Sequence, residues 1–348
     1  MNTTASKLLA IISAFILILS LSACNSAENL ETVFMHGSDM PKQVIAPDPI
    51  ESITPMPPDK TTNEPAANEQ IESAEEPEMP DNPASDFEYS FDGETGGIAI
   101  SSYIGDASIV RIPNEINGVS VTVIDENAFE FCYYLTEVII PDSVTIIGKS
   151  AFVGCEELVG VTIPAGVTTL GDYVFSGCSS LQSIEVDADN LNYASVDGVL
   201  FNKDISLLLH YPAGRSGAYV IPDGVLYIET AAFSSCNLLT DVTMPDSLEF
   251  ISVFAFNMCY SLERVTIPDN VTLIGYGSFA FCSSLRTAAL PAGLTTISRG
   301  LFTNCSSLES VIIPDGVTEI SFDAFTGCSS LDDATRARIL QINANAEF

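Results

Sequence analysis

Between residues 109 and 331 short apolar runs alternate with polar turns in a pattern that repeats itself. Phenylalanines fall at 129, 152, 175, 233, 256, 279, 302 and 325, each followed three residues later by a cysteine and three after that by a leucine. Every step is 23 residues except the one from Cys178 to Cys236, so eight units are present. Within one unit, Leu262-Glu263-Arg264-Val265-Thr266-Ile267 places Val265 and Ile267 on one side of a short strand and Thr266 on the other. Pro268 has no N–H to give to a ladder and ends that strand. Asp269-Asn270 supply a turn, and Val271-Thr272-Leu273-Ile274 forms a second β-branched run. The Ala-Phe-x-x-Cys piece then turns the chain back, with ring and thiol directed inward.

No single unit can bury these groups by itself, so neighbouring units must stack. The predicted fold is a β-rich repeat solenoid, a leucine-rich-repeat rod of 23-residue units with short strands on both faces and capping elements at its ends. At about 5 Å per rung, eight rungs give a rod on the order of 40 Å long.

The repeat A-F-x-x-C-x-S-L-x-x-V-x-I-P-D-x-V-T-x-I-G resembles the BspA-like, treponemal-type leucine-rich repeats of host-associated bacteria, over about Ile109 to Leu331. The resemblance implies a surface protein that binds host matrix proteins, host cells or other bacteria. The repeats occupy 129–186 and 222–331. Between them, 187–221 resembles the longer irregular unit of such proteins, and its Asp197-Gly198 and Asn202-Lys203-Asp204 turns between apolar runs predict a hairpin-like insertion that interrupts the concave face. Residues 86–128 form an N-terminal cap. Residues 332–348 form a C-terminal cap in which Asp332 and Asp333 precede Arg336 and Arg338, as suits a short helix.

Residues 1–23 read as a secretory signal, with Lys7 ahead of the apolar stretch Leu8 to Leu21. That stretch is shorter than the roughly 20 residues a membrane-spanning helix needs. Leu21-Ser22-Ala23-Cys24 resembles the lipobox of bacterial lipoproteins, which implies cleavage before Cys24 and lipid on its sulfur. Two or three acyl chains there hold a protein stably to a membrane. Residues 24–85 carry 13 acids against Lys42 and Lys60, ten prolines from Pro41 to Pro83 and almost no aromatics, a composition that cannot build a core. We read this segment as an extended, disordered tether. The expected location is extracytoplasmic, lipid-anchored and surface-exposed.

The formal charge of −34 excludes nucleic acid and disfavours anionic surfaces; from Asp86 onward 33 acids face 9 bases. One cysteine per rung reads as a column of buried thiols acting as small hydrophobes, with disulfides as the alternative. No C-x-x-C or Cys/His cluster indicates a metal, and no cofactor is expected. Histidine chemistry would rest on His210, read as a turn-flanking residue, because His36 lies in the tether. Gly148-Lys149-Ser150 lacks the rest of a phosphate loop, and the aspartates after the repeat prolines read as turn caps rather than calcium ligands.

The candidate site is therefore the concave face itself: Glu137, Thr162, Glu185, Asp241, Thr243, Glu263, Arg264, Thr266, Arg286, Glu309 and Ser310. These hydroxyls, acids and bases suit shallow contact with a protein or a glycan and do not converge as an active site requires. The expectation is a non-enzymatic adhesion module. The alternative is an exported envelope-assembly or polymer-capture lipoprotein without a role in host adhesion.

Overall fold

The structure, a computed structural model, describes residues 80–348. The signal segment, Cys24 and the tether up to residue 79 lie outside the described residues. The remainder is a β-solenoid of about 10 turns with roughly 23-residue spacing. The strands built on Leu-x-x-Val-x-Ile form a front ladder. Ile109–Arg111, Glu137–Ile139, Gly160–Ile163 and Ser183–Val186 run parallel in that order. After a break, Gly217–Val220 pairs with Leu239–Thr243, and Arg264–Thr266, Thr287–Ala289 and Ser310–Ile312 complete the ladder.

The second apolar run of each unit forms a back ladder. There Val123, Ile146 and Thr169 stand in register, as do Tyr227, Phe250 and Leu273. A third set of rung-to-rung bonds closes each turn: the Phe129 N–H donates to the Ala151 carbonyl at 2.7 Å, and Phe256 to Ser278 at 2.7 Å. The repeat proline ends its strand as expected, and its carbonyl then accepts the N–H three residues on, as from Val271 to Pro268 at 3.0 Å. Backbone polar groups of each turn are thus satisfied by the turns above and below, which is what lets so short a repeat be buried.

The interior is a column of rings and thiols. Phe129, Phe152, Phe175, Phe233, Phe256, Phe279, Phe302 and Phe325 are all fully buried. Successive rings stack, with centroids 4.6 Å apart for Phe233 and Phe256 and 5.1 Å for Phe256 and Phe279, contacts worth about 0.5–1.5 kcal/mol each beyond their buried area. In seven of the eight ring-bearing turns the backbone is left-handed two residues to either side of the ring, as at Phe254 (φ 56°) and Met258 (φ 61°) around Phe256; the Phe325 turn has it only afterwards, at Gly327 (φ 80°). A side chain in that region costs roughly 1–2 kcal/mol. The phenyl stacking that the turn permits offsets this cost.

The irregular unit interrupts the rod without opening it. Tyr193–Val196 and Val199–Asn202 form an antiparallel hairpin, Leu207–His210 pairs antiparallel with the latter, and Tyr227–Ile228 then resumes parallel pairing. These strands lead the back ladder into Phe250–Ile251 and Leu273–Ile274, but both ladders break at this unit, the back between Thr169–Leu170 and Tyr193–Val196 and the front between Ser183–Val186 and Gly217–Val220. The hydrophobic core divides at the same place. His210 sits on this division. It is the buried last residue of a half-buried strand, its ring meets Phe175 edge-on at 5.9 Å, and it is hydrogen-bonded to the Phe175 backbone. It takes the place of a ladder thiol, and Tyr211 beside it restarts the ring column against Phe233 at 5.0 Å. Burial holds the His210 pKa down at about 4.

Both ends are closed. Residues 80–85, assigned to the tether on composition, already belong to the folded unit: the Asn82 N–H donates to the Arg111 carbonyl at 2.9 Å and its Oδ1 accepts the Arg111 N–H at 2.9 Å. One side chain thereby mimics a strand on the open edge of the front ladder, a detail that averaged composition does not register. At the other end the helix Asp333–Ile342 covers the last rung, N-capped by Asp332, which accepts the Thr335 N–H at 2.7 Å. Arg336 turns back to donate to the carbonyls of Leu331 at 2.9 Å and Ser329 at 3.1 Å, and its guanidinium lies 4.7 Å from the Phe348 ring centroid.

Candidate functional site

The front face carries the sequence-predicted residues in two ways. Glu137, Thr162, Glu185, Asp241, Thr243, Arg264, Thr266 and Ser310 lie on front strands between inward-facing residues such as Val138, Val161, Ile184, Val242 and Val265. Glu263, Arg286 and Glu309 precede their strands by one residue and line the margin instead. Alternation along the strand explains the difference, since the margin position follows the buried leucine directly and lies ahead of the ladder.

Electrostatics divides this face into halves. In the C-terminal half charges are paired across rungs: Arg264 lies 2.8 Å from Asp241, and Arg286 lies 2.5 Å from Glu309. Such exposed pairs contribute at most about 1 kcal/mol, but they neutralise the surface locally. In the N-terminal half the one basic residue on the front strands is Arg111, beside Ile139 on the outermost strand, and the strands Glu137–Ile139, Gly160–Ile163 and Ser183–Val186 carry no lysine or arginine.

There the face is hollowed into an open groove of about 510 Å³. Its shape follows from Gly160. At the strand position where neighbouring rungs place Glu137 and Ser183, this rung has no side chain, and a Cβ built there would meet only the Ser183 carbonyl at 3.7 Å. Val159 and Ile139 give the groove aliphatic wall, with Val159 51% exposed. Glu137, Glu185, Asp142 and Asp187 supply its carboxylates.

Glu185 is the most fixed of these. Ser183 donates to one of its carboxylate oxygens, and Ser195 to the other at 3.2 Å. Ser195 arrives from the hairpin, and its oxygen also accepts the Val186 N–H at 3.2 Å. The hairpin is anchored in turn by fully buried Asn190, which donates to the carbonyls of Pro164 at 2.7 Å and Val167 at 3.0 Å and accepts the N–H groups of Asn192 and Tyr193. Sequence reading placed Glu185 on the face but missed Ser195 and Asn190, whose roles depend on how the hairpin folds back. The lack of a side chain at Gly160 was visible in the aligned repeats.

The BspA type leucine rich repeat region matches residues 110–207 and 217–332, in six copies. The chain belongs to this family. A leucine-rich repeat protein from Eubacterium ventriosum is 24% identical, with 71% of this chain and 82% of that one covered and a TM-score of 0.52; it shares the fold. A Treponema pallidum leucine rich repeat protein is 26% identical over 77% of this chain and 99% of its own, with a TM-score of 0.38. A leucine rich cell surface protein from Faecalibacterium prausnitzii is 25% identical over 78% and 99%, with a TM-score of 0.48. Among curated proteins none matches the chain. BspA-type repeats form a scaffold suited to protein interaction, and no catalytic family is indicated. Among the described residues no helix is long and apolar enough to cross a membrane.

Proposed function

We propose that this protein is a bacterial surface lipoprotein, held by lipid on Cys24, that uses the front face of its solenoid to bind protein or glycan ligands in adhesion to host matrix or to other bacteria. The observation that carries this reading is the front face: a long strip of outward hydroxyl, acidic and aliphatic side chains, with binding surface spread over many rungs rather than gathered at one reacting centre. Ile312, 69% exposed on the last front strand, extends that strip to the C-terminal cap. The acidic, proline-rich composition of residues 24–79 supports a tether that holds the face away from the membrane. The cell-surface description of the Faecalibacterium relative agrees with an extracytoplasmic location.

The anchor is tested by growing the native bacterium with an alkyne-tagged fatty acid. The wild-type chain is expected to incorporate the label and the Cys24→Ala chain to lose it and appear in the medium. Equal labelling of both would remove the anchor from the proposal. The binding half is tested by surface capture, as set out at the end of the Discussion.

A further inference from the structure

The two halves of the front face differ in one respect that the general binding role leaves unexplained. In the C-terminal half, Asp241 and Glu309 have their counter-charges within the chain, on Arg264 and Arg286. In the N-terminal half the groove has an aliphatic wall and four carboxylates, yet none of its lining residues is basic. A sheet face so arranged leaves its counter-charge to be brought by whatever docks there.

We propose that this groove receives an extended basic segment of a partner protein, with two lysine or arginine side chains reaching Glu137 and Glu185 while the backbone passes over Gly160. The proposal rests on the binding role given above and names the half of the face and the chemistry of the occupant. Glu137 and Glu185 stand two strands apart and two residues apart along the strand, about 12 Å from each other at the usual spacings. Basic residues three apart in a polyproline chain stand about 9 Å apart, at about 3.1 Å per residue, and their long side chains cover the remainder. Gly160 stands on the intervening strand, in register with Glu137 and Ser183, and the space left by its missing side chain admits a backbone close to the sheet.

Charge complementarity selects this occupant. A second copy of the chain brings 33 acids against 9 bases from Asp86 onward, and the segment 24–85 brings 13 against 2, so both are repelled. An anionic glycan or lipid surface is repelled for the same reason. A basic polypeptide gains from Glu137 and Glu185 and also from the Asp142 and Asp187 rim. The hairpin acquires a purpose in this picture: Ser195 holds Glu185 in one orientation, so the carboxylate is set before the cation arrives.

The test uses full-length protein purified in detergent and fluorescent short peptides carrying lysines three residues apart, with glutamate and glutamine versions as controls. Titrations are made near physiological salt, where charges farther apart than about 8 Å are largely screened. The lysine peptide is expected to bind and the two controls to fail. Glu137→Gln with Glu185→Gln should weaken binding about tenfold, whereas Glu249→Gln with Glu319→Gln at exposed positions of the back, the same change in net charge, should weaken it less than about twofold. Gly160→Gln fills the groove without altering charge and should abolish binding. Its backbone is not left-handed and its Cβ has room, so the fold is retained. Ser195→Ala should weaken binding about threefold with the charge intact.

Equal losses in the two charge-matched pairs, or undiminished binding by Gly160→Gln, would overturn the proposal and reduce the effect to net charge. The wider binding role is read separately, from capture on surfaces. If capture persists while the lysine peptide shows no preference, only this inference falls; if the peptide binds as described and no surface captures the protein, the adhesion reading falls and this one stands.

Discussion

The thiol of Cys259 lies 3.1 Å from the carbonyl oxygen of Phe233, one turn back along the rod. The same carbonyl accepts the Cys236 N–H of its own turn at 3.2 Å, so one oxygen closes its own turn and also receives the next. The pattern recurs from Cys282 to Phe256 at 3.2 Å, Cys305 to Phe279 at 3.0 Å and Cys328 to Phe302 at 3.1 Å. A ladder cysteine is thus more than a small hydrophobe. It is a residue of the right volume that also carries a weak donor aimed along the axis.

It follows that Cys259→Ala should destabilise the fold by about 1–2 kcal/mol through the lost sulfur contacts and the weakened carbonyl. Cys259→Ser should cost at least as much despite restoring a donor, because a hydroxyl on the shorter C–O bond is buried short of the Phe233 oxygen. Urea unfolding monitored by circular dichroism measures both. A serine variant as stable as wild type would remove the geometric account of the column.

Thiol reactivity provides a second measurement. The described cysteines are free thiols. Burial pushes the pKa of Cys328 up to about 12, and at Cys259 and Cys305 burial, reinforced by the thiol of the turn before, drives it well above the ordinary thiol range. Little thiolate exists at neutral pH, so iodoacetamide should leave these residues unmodified in the folded protein and alkylate them once it unfolds. Cys132, partly exposed on the first rung, should react first on prolonged exposure. Mass spectrometry of native and urea-treated samples gives the order.

His210 makes the junction between the two core halves sensitive to acid. Its folded pKa of about 4 lies below the value of about 6.5 expected unfolded, so between those values the unfolded chain binds more protons than the folded one. The stability associated with a neutral His210 is therefore complete above about pH 6.5 and is lost as pH falls toward 4, by roughly 3 kcal/mol in all. His210→Gln should flatten the stability profile between about pH 6.5 and 5, ahead of most carboxylate titration. An unchanged slope in that window, read from urea midpoints, would mean that His210 does not titrate as described.

Asn190 is the single polar side chain on which the irregular turn depends most. Asn190→Ala leaves two carbonyls of the preceding turn and two hairpin N–H groups without their partner, and should destabilise by about 2–4 kcal/mol. Hydrogen exchange should show the loss first at Tyr193–Val196 and Val199–Asn202. Uniform protection across the hairpin in the variant would contradict this role.

The rod, its repeat length and the direction of its strand side chains were legible in the sequence because a 23-residue register leaves little freedom: Phe129, Cys132 and Leu135 reappear so regularly that one unit defines the rest. The irregular turn was legible only as an insertion with turn signals. That Ser195 would orient Glu185, or that His210 would stand in for a thiol, depends on a hairpin folding back against the preceding turn, and no periodicity encodes such a contact. The ion pairs of the front face, by contrast, lie within the repeat register. Arg264 and Asp241 are 23 residues apart, as are Arg286 and Glu309, so each pair holds one repeat position on adjacent rungs, and the coordinates add that the side chains meet.

The measurement that tests the account most directly is capture of the full-length protein on immobilised matrix proteins, epithelial cells and partner bacteria, comparing wild type with two charge-matched variants. One carries Thr162→Arg and Thr266→Arg on the front face, and the other Thr169→Arg and Thr272→Arg on exposed positions of the back. The account predicts saturable binding to at least one surface that the front variant loses and the back variant keeps. Binding that survives in the front variant, or that is absent from every surface for the wild-type protein, would contradict it.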